Sequence, residues 1–189
     1  MISRWWHRKG FGVQSPWAYT WMRDVLFEPL RYYAFDQLRQ HYHHGHRSKR
    51  LRLMDEQMFR IVHTLKPDHI ILCGNIREST KAYINATHCK TTQKEWDGNS
   101  TADWNDITPN SSMLVYISTV TDADNTWDRL IRSGKVNEQT AVVIDHPDLA
   151  HTLLWEHIRT EGPAVVTFEM KERGIVFFDT SKTKQNFTC

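Results

Sequence analysis

Apolar residues recur with two different periods along this 189-residue chain, and the change falls at Pro67. Before Pro67 the spacing is helical. Ser15-Pro16 offers an N-cap with proline at the first helical position, Trp17, Trp21, Val25 and Leu26 recur behind it, and Pro29 stops the run. A second short helix is expected from about Tyr33 to Gln40, giving way to the polar run His41-Tyr42-His43-His44-Gly45-His46. The third helix is the clearest, with Leu51, Met54, Met58, Ile61, Val62 and Leu65 as one buried stripe and Pro67 as terminator.

Beyond Pro67 the runs 69–73, 113–117 and 141–144 are short and apolar without polar alternation, the pattern of strands covered on both faces of a parallel sheet. Helical stretches separate them: residues 78–86, a helix capped by Asp122 and running to about Arg132 with Gly134 beyond it, and Asp148 to about Arg159. Strands alternating with helices imply βαβ crossovers. Runs 163–169 and 174–178 are joined only by Met170-Lys171-Glu172-Arg173, too short for a crossover, so they must pair as an antiparallel hairpin. A further strand is expected at His88–Thr92, followed by the polar, turn-like segment 94–106. From Gly74 to Met113 the chain is too short for a full set of crossovers, so one helix should be missing and one or two edge strands short. The expected fold class is α/β: a mostly parallel sheet flanked by helices and ending in an antiparallel hairpin. A helical N-terminal cap, residues 1–66, accompanies a sheet-bearing region, residues 67–189, in one compact unit.

With 40% hydrophobic and 12% aromatic residues the chain can bury a core, which excludes disorder and a disulfide mini-scaffold. No apolar run has bilayer length, and the basic N-terminus 1–9 is followed by no apolar segment, so a cytoplasmic protein without a secretory signal is expected. Cys73, Cys89 and Cys189 are too few and too scattered for a structural zinc site or a disulfide framework. The net charge of +2 conceals an asymmetry: residues 1–66 hold twelve Lys/Arg against five Asp/Glu, and residues 67–189 hold twelve against seventeen. Mutual attraction of the two parts is the simpler explanation; binding of nucleic acid through the basic cap is the alternative, though no nucleic-acid motif accompanies the charge.

Asp145-His146-Pro147 ends a central strand, where open α/β sheets bind ligands, and offers the best-placed acid/base pair in the chain. The other reading, Asp145 as a helix cap beside an exposed His146, stands equally. The histidines of 41–46 could share a divalent metal, but no carboxylate or cysteine neighbours them and Gly45 marks a loop, so a solvated connection is the simpler reading. Cys73 at a strand end is a thiolate candidate or a small apolar residue closing the strand. Trp5 and Trp6 either fold back onto their own domain or meet a partner or membrane surface. No nucleophile elbow, Walker loop or His-Glu-x-x-His pattern is present.

The parallel sheet with its terminal hairpin, together with Gly12-Val13-Gln14-Ser15-Pro16-Trp17, Val142-Val143-Ile144-Asp145-His146, Trp155-Glu156-His157-Ile158, Val165-Val166-Thr167-Phe168, Gly174-Ile175-Val176-Phe177-Phe178 and Lys184-Gln185-Asn186-Phe187, resembles the class I S-adenosylmethionine-dependent methyltransferases. The likeness is closest to a bacterial group that opens with a Gly-Val-His-Ser-Pro-Phe arm. The resemblance implies a Rossmann-like sheet, attack by a substrate nucleophile on the cofactor's sulfonium methyl, Cys73, Gly74, Asn75, Ser79, Thr80 and Ser118 around S-adenosylmethionine, and Asp145 with His146 facing a small-molecule or macromolecular substrate. At the cofactor motifs the chain departs from that group. The glycine-rich turn is reduced to Gly74, with Asn75 able to take a positive φ and Ile76 and Arg77 adding bulk; no acidic residue ends the expected strand 88–92, leaving Glu95 and Asp97 beyond it; and Ser118 stands where the group has Asp. A weakened or lost cofactor site is therefore expected, the competing class being a non-catalytic binding module on the same fold.

Overall fold

The computed structural model describes residues 15–43, 49–97, 106–118, 122–146 and 148–189. The N-terminal arm with Trp5 and Trp6, and also His44, His46 and Pro147, lie outside the described residues. The chain divides into two compact units, residues 1–66 with 77–90 and residues 67–76 with 91–189.

In the first unit, α1 (Pro16–Trp21) starts as expected: Ser15 accepts the Ala18 N–H at 3.3 Å and Pro16 takes the first turn. The helix runs on as a π turn over Met22–Leu26. Its terminal carbonyls lack intrahelical partners. They are met by the next long helix: Gln57 donates to Leu26 O at 3.1 Å and Arg60 Nε to Val25 O at 2.7 Å. Helix α2 spans Phe35–Tyr42, α3 Lys49–Leu65 and α4 Glu78–Asn85. Phe35, Phe59 and Tyr83, one from each, form a buried aromatic knot with ring centroids 5.0 Å (Phe35–Phe59) and 5.6 Å (Phe35–Tyr83) apart. The expected stripe of α3 holds only in its second half. Met58, Ile61 and Val62 are fully buried, Leu51 is exposed, Met54 and Leu65 are half-buried, and the middle of the helix buries Asp55, Glu56, Gln57 and Arg60.

The second unit is a seven-stranded sheet: β1 (His69–Cys73), β2 (Thr92–Trp96), β3 (Met113–Ile117), β4 (Thr140–Asp145), β5 (Val166–Glu169), β6 (Arg173–Phe177) and β7 (Gln185–Thr188), in the order β2-β1-β3-β4-β6-β5-β7. Strands β2, β1, β3 and β4 are parallel, β6 runs antiparallel to both β4 and β5, and β7 adds a parallel edge to β5. The unbroken burial of β3 and β4 and the hairpin across residues 170–172 are as the apolar runs require. One face of the sheet packs Val115, Ile117, Val142, Ile144 and Val176 against Trp127 and Leu130 of α5 (Ala123–Arg132) and Leu154, Trp155 and Ile158 of α6 (Leu153–Thr160). Asp122 caps α5, accepting from Asn125 N–H at 3.2 Å, and Gly134, at φ 67°, follows its end.

Three local expectations are corrected. The second strand lies at 92–96, not 88–92: His88 takes a positive φ of 52° in the turn that closes α4, so the ladder starts four residues later. The helix expected from Asp148 starts later: Asp148 is left-handed (φ 57°) before a 3₁₀ turn at Leu149–His151, and the α-helix begins at Leu153 behind the cap Thr152. Asn75 keeps a negative φ, so the positive-φ step after β1 falls on Gly74 alone, at 88°. Among the described residues no helix is long and apolar enough to cross a membrane.

Candidate functional site

The residues singled out from the sequence divide between the two units. Cys73, Gly74, Asn75, Ser118, Asp145 and His146 belong to the sheet unit, Ser79 and Thr80 to the helical one.

In the sheet unit the carboxyl ends of adjacent parallel strands meet at one edge. Cys73 ends β1 fully buried, and Gly74 turns the chain with its N–H donating to Trp96 O at 3.2 Å. Ser118, just past β3, donates its N–H to Cys73 O at 3.0 Å and its hydroxyl to Asn75 O at 3.2 Å. The turn after β1 is thus tied to both neighbouring strands, with Ile76 buried and Gly74 and Asn75 exposed. The register of β1 with β2 pairs Cys73 with Trp96, so exposed Asp97 directly follows the end of β2. The sequence left Asp97 well beyond the strand expected at 88–92; with β2 at 92–96 it stands directly at the strand end.

Asp145 ends β4 with its carboxylate buried and enclosed. Arg173 Nε donates to Oδ1 at 2.6 Å, Arg173 Nη2 to Oδ2 at 2.8 Å, and Tyr116 Oη to Oδ2 at 2.5 Å. The Arg173 guanidinium also lies 5.9 Å from the centroid of the Tyr116 ring, and all three residues are at most 3% exposed. A fork-to-fork pair of this kind is strong and geometrically fixed. It joins β3, β4 and β6, so Asp145 holds the hairpin to the parallel strands, which neither reading from the sequence had foreseen. His146 is half-buried, with its N–H on Glu172 O at 3.1 Å.

In the helical unit Thr80 is fully buried and donates its hydroxyl to Asp55 Oδ1 at 2.6 Å; Ser79 is half-buried. Arg77 Nη2 donates to the same Oδ1 at 2.6 Å, while His43 Nε2 stands 3.2 Å from Oδ2 without hydrogen-bond alignment. Beside them Glu56 accepts from Arg39 at 2.6 Å and lies 3.7 Å from Arg52. Burial pushes the Tyr83 phenol well above its ordinary range and holds the His43 imidazole below its own, the latter opposed by the Asp55 charge. His43 Nε2, Asp55 Oδ2, Tyr83 Oη and Arg77 Nε are buried without a hydrogen-bond partner. The one sequence sign of this cluster is the pair Asp55-Glu56 interrupting an apolar stripe; the partners 12 to 28 positions away carry none. His43 thus leaves the histidine run to face a carboxylate, and among the described residues no three His, Cys, Asp or Glu side chains converge on a metal position.

These features define a Rossmann-like α/β protein: a mostly parallel sheet flanked by helices, with an antiparallel C-terminal hairpin. No protein-family model, curated protein or solved structure matches the chain.

Proposed function

We propose that the chain is an S-adenosylmethionine methyltransferase-like protein whose cofactor site is weakened, so that its main capacity is binding rather than rapid methyl transfer. The observation that carries this reading is the pairing of Cys73 with Trp96, which sets the positive-φ Gly74 beside Asp97 at neighbouring strand ends. A glycine turn permits close backbone approach of a nucleoside-type ligand, and a carboxylate one strand away suits ribose hydroxyls. S-adenosylmethionine would supply an electrophilic sulfonium methyl there. Three features weaken the fit. Bulky, buried Ile76 stands where a small residue is needed, the Ser118 hydroxyl is directed at Asn75 O, and Asp145 is enclosed by Arg173 and Tyr116 instead of facing a substrate.

Titration calorimetry with S-adenosylmethionine and S-adenosylhomocysteine tests this. With Ser118 where the resembled group has Asp, one charged hydrogen-bond partner is lost at a cost of about 2–5 kcal/mol, roughly thirty-fold to several thousand-fold in affinity, so dissociation constants in the millimolar range are expected. Asp97→Asn and a bulky residue at Gly74 should each abolish what binding remains. Micromolar binding would restore a conventional methyltransferase; no binding of either ligand would leave a non-catalytic interaction module.

A further inference from the structure

Three helices of the helical unit meet at one polar centre whose hydrogen bonds do not close. Asp55 of α3 is fully buried, and its Oδ1 takes 2.6 Å bonds from Arg77 Nη2 and from the Thr80 hydroxyl, both at the start of α4. Its Oδ2 faces His43 at the end of α2, with Nε2 at 3.2 Å but out of hydrogen-bond alignment. Tyr83 of α4 lies against the same imidazole, ring centroids 5.8 Å apart, and its phenol is within electrostatic reach of Glu56 and Asp55. Asp55 Oδ2, His43 Nε2, Arg77 Nε and Tyr83 Oη are all buried and without a hydrogen-bond partner. Buried polar atoms are satisfied by protein or by ordered water, and four bare ones in one cluster call for a common partner.

We propose that this centre binds one internal water molecule, which accepts from Arg77 Nε and the Tyr83 hydroxyl and donates to Asp55 Oδ2 and His43 Nε2. The assignment follows from counting donors and acceptors. An arginine Nε can only donate and an ionised carboxylate can only accept, so the occupant must do both. Tyr83 and a neutral His43 can each play either part. A phenol that donates leaves no proton bare, which makes Tyr83 the second donor and the unprotonated ring nitrogen of His43 the second acceptor. Two donors opposite two acceptors are the complement of a water molecule, and the closure of all four atoms to solvent leaves space for nothing larger. Charge disfavours other small occupants: a cation would meet the Arg77 guanidinium, and an anion the Asp55 carboxylate. The water would complete the Arg77–Asp55 pair as a fork, one arm direct from Nη2 to Oδ1 and the other from Nε through the water to Oδ2. It would also join the end of α2 to α3 and α4.

A crystal structure of the full chain at about 1.5 Å or better, grown near about pH 7.5 where an imidazole is neutral, tests the site directly. Density for one water is expected at about 2.6–3.2 Å from at least three of the four atoms. Two solution measurements at the same pH are independent of the crystal. The ring ¹⁵N shifts of His43 should place its proton on Nδ1 and leave Nε2 bare. Magnetisation transfer from water should reach the carbon-bound Hδ2 of His43, which adjoins Nε2. It should survive Tyr83→Phe, which removes the phenol proton that could relay it and leaves three partners for the water. Absence of density, a direct Nε2–H bond from His43 to Asp55, an ion in the position, a proton on Nε2 in solution, or transfer that is missing or is lost with the phenol would each overturn the assignment.

Discussion

Gly174→Ala in β6 should be among the most damaging single-methyl additions to the sheet. Gly174 sits between Ile144 and Glu169 in the ladder, and a Cβ there would lie 2.4 Å from Trp155 Cζ3, 2.5 Å from Cη2 and 2.7 Å from Leu149 Cδ2. Neither neighbour can retreat easily. Both are fully buried, and the indole is fixed by Nε1 donating to Glu169 at 2.9 Å. Overpacking of this kind costs about 1–3 kcal/mol, and moving the indole off the carboxylate adds about 1.5–3 kcal/mol. The reduced freedom of the unfolded chain returns only about 0.4–1 kcal/mol. The net loss should be about 2–5 kcal/mol, read from urea unfolding followed by tryptophan fluorescence and circular dichroism. Trp155→Phe removes the two clashing ring atoms and leaves only the Leu149 contact, so Gly174→Ala made in that background should cost clearly less than in the parent. A cost under about 0.5 kcal/mol in the parent, or the same cost in both backgrounds, would refute the reasoning.

Arg173→Met should cost about 3–5 kcal/mol by leaving the Asp145 carboxylate buried without its cation, whereas Tyr116→Phe, which removes one of three donors, should cost about 1.5–3 kcal/mol. Urea midpoints in the reverse order would contradict the assignment of Arg173 as the principal partner. Met58→Asp places a carboxylate at a fully buried position of α3 and should lower the melting temperature by several degrees; an unchanged value would contradict the burial. The Ser112 N–H and hydroxyl, at 2.9 and 2.8 Å, hold the Asp68 carboxyl below its ordinary 3.8, so this contribution is present above that value and is lost as pH falls through the lower folded one. Ser112→Ala removes the hydroxyl but keeps the N–H, so it should make the acid limb of a stability–pH profile shallower without abolishing it, and an unaltered limb would exclude the hydroxyl as a contributor.

Some of this architecture is legible in short stretches of chain. The runs within 69–73, 113–117 and 141–144 are apolar on consecutive residues, which only burial on both faces tolerates, and a four-residue link between 169 and 174 permits nothing but an antiparallel return. Ser15 before Pro16 and Asp122 before Ala123 act as caps because that bond is closed within three residues. What tertiary structure decided lies at longer range. Strand β2, Thr-Gln-Lys-Glu-Trp, has no apolar alternation to announce it; as an edge strand it needs only one buried side chain, Trp96, and its ladder with β1 fixed its position and brought Asp97 to the strand end. Asp145 met Arg173 because β6 returns antiparallel beside β4, and Asp55 met Arg77, Thr80 and His43 because three helices pack around one aromatic knot. Periodicity reports which way a residue faces; the partner it meets 12 to 28 positions away is set by topology, because a charge or hydroxyl carries no local sign of the group that will satisfy it.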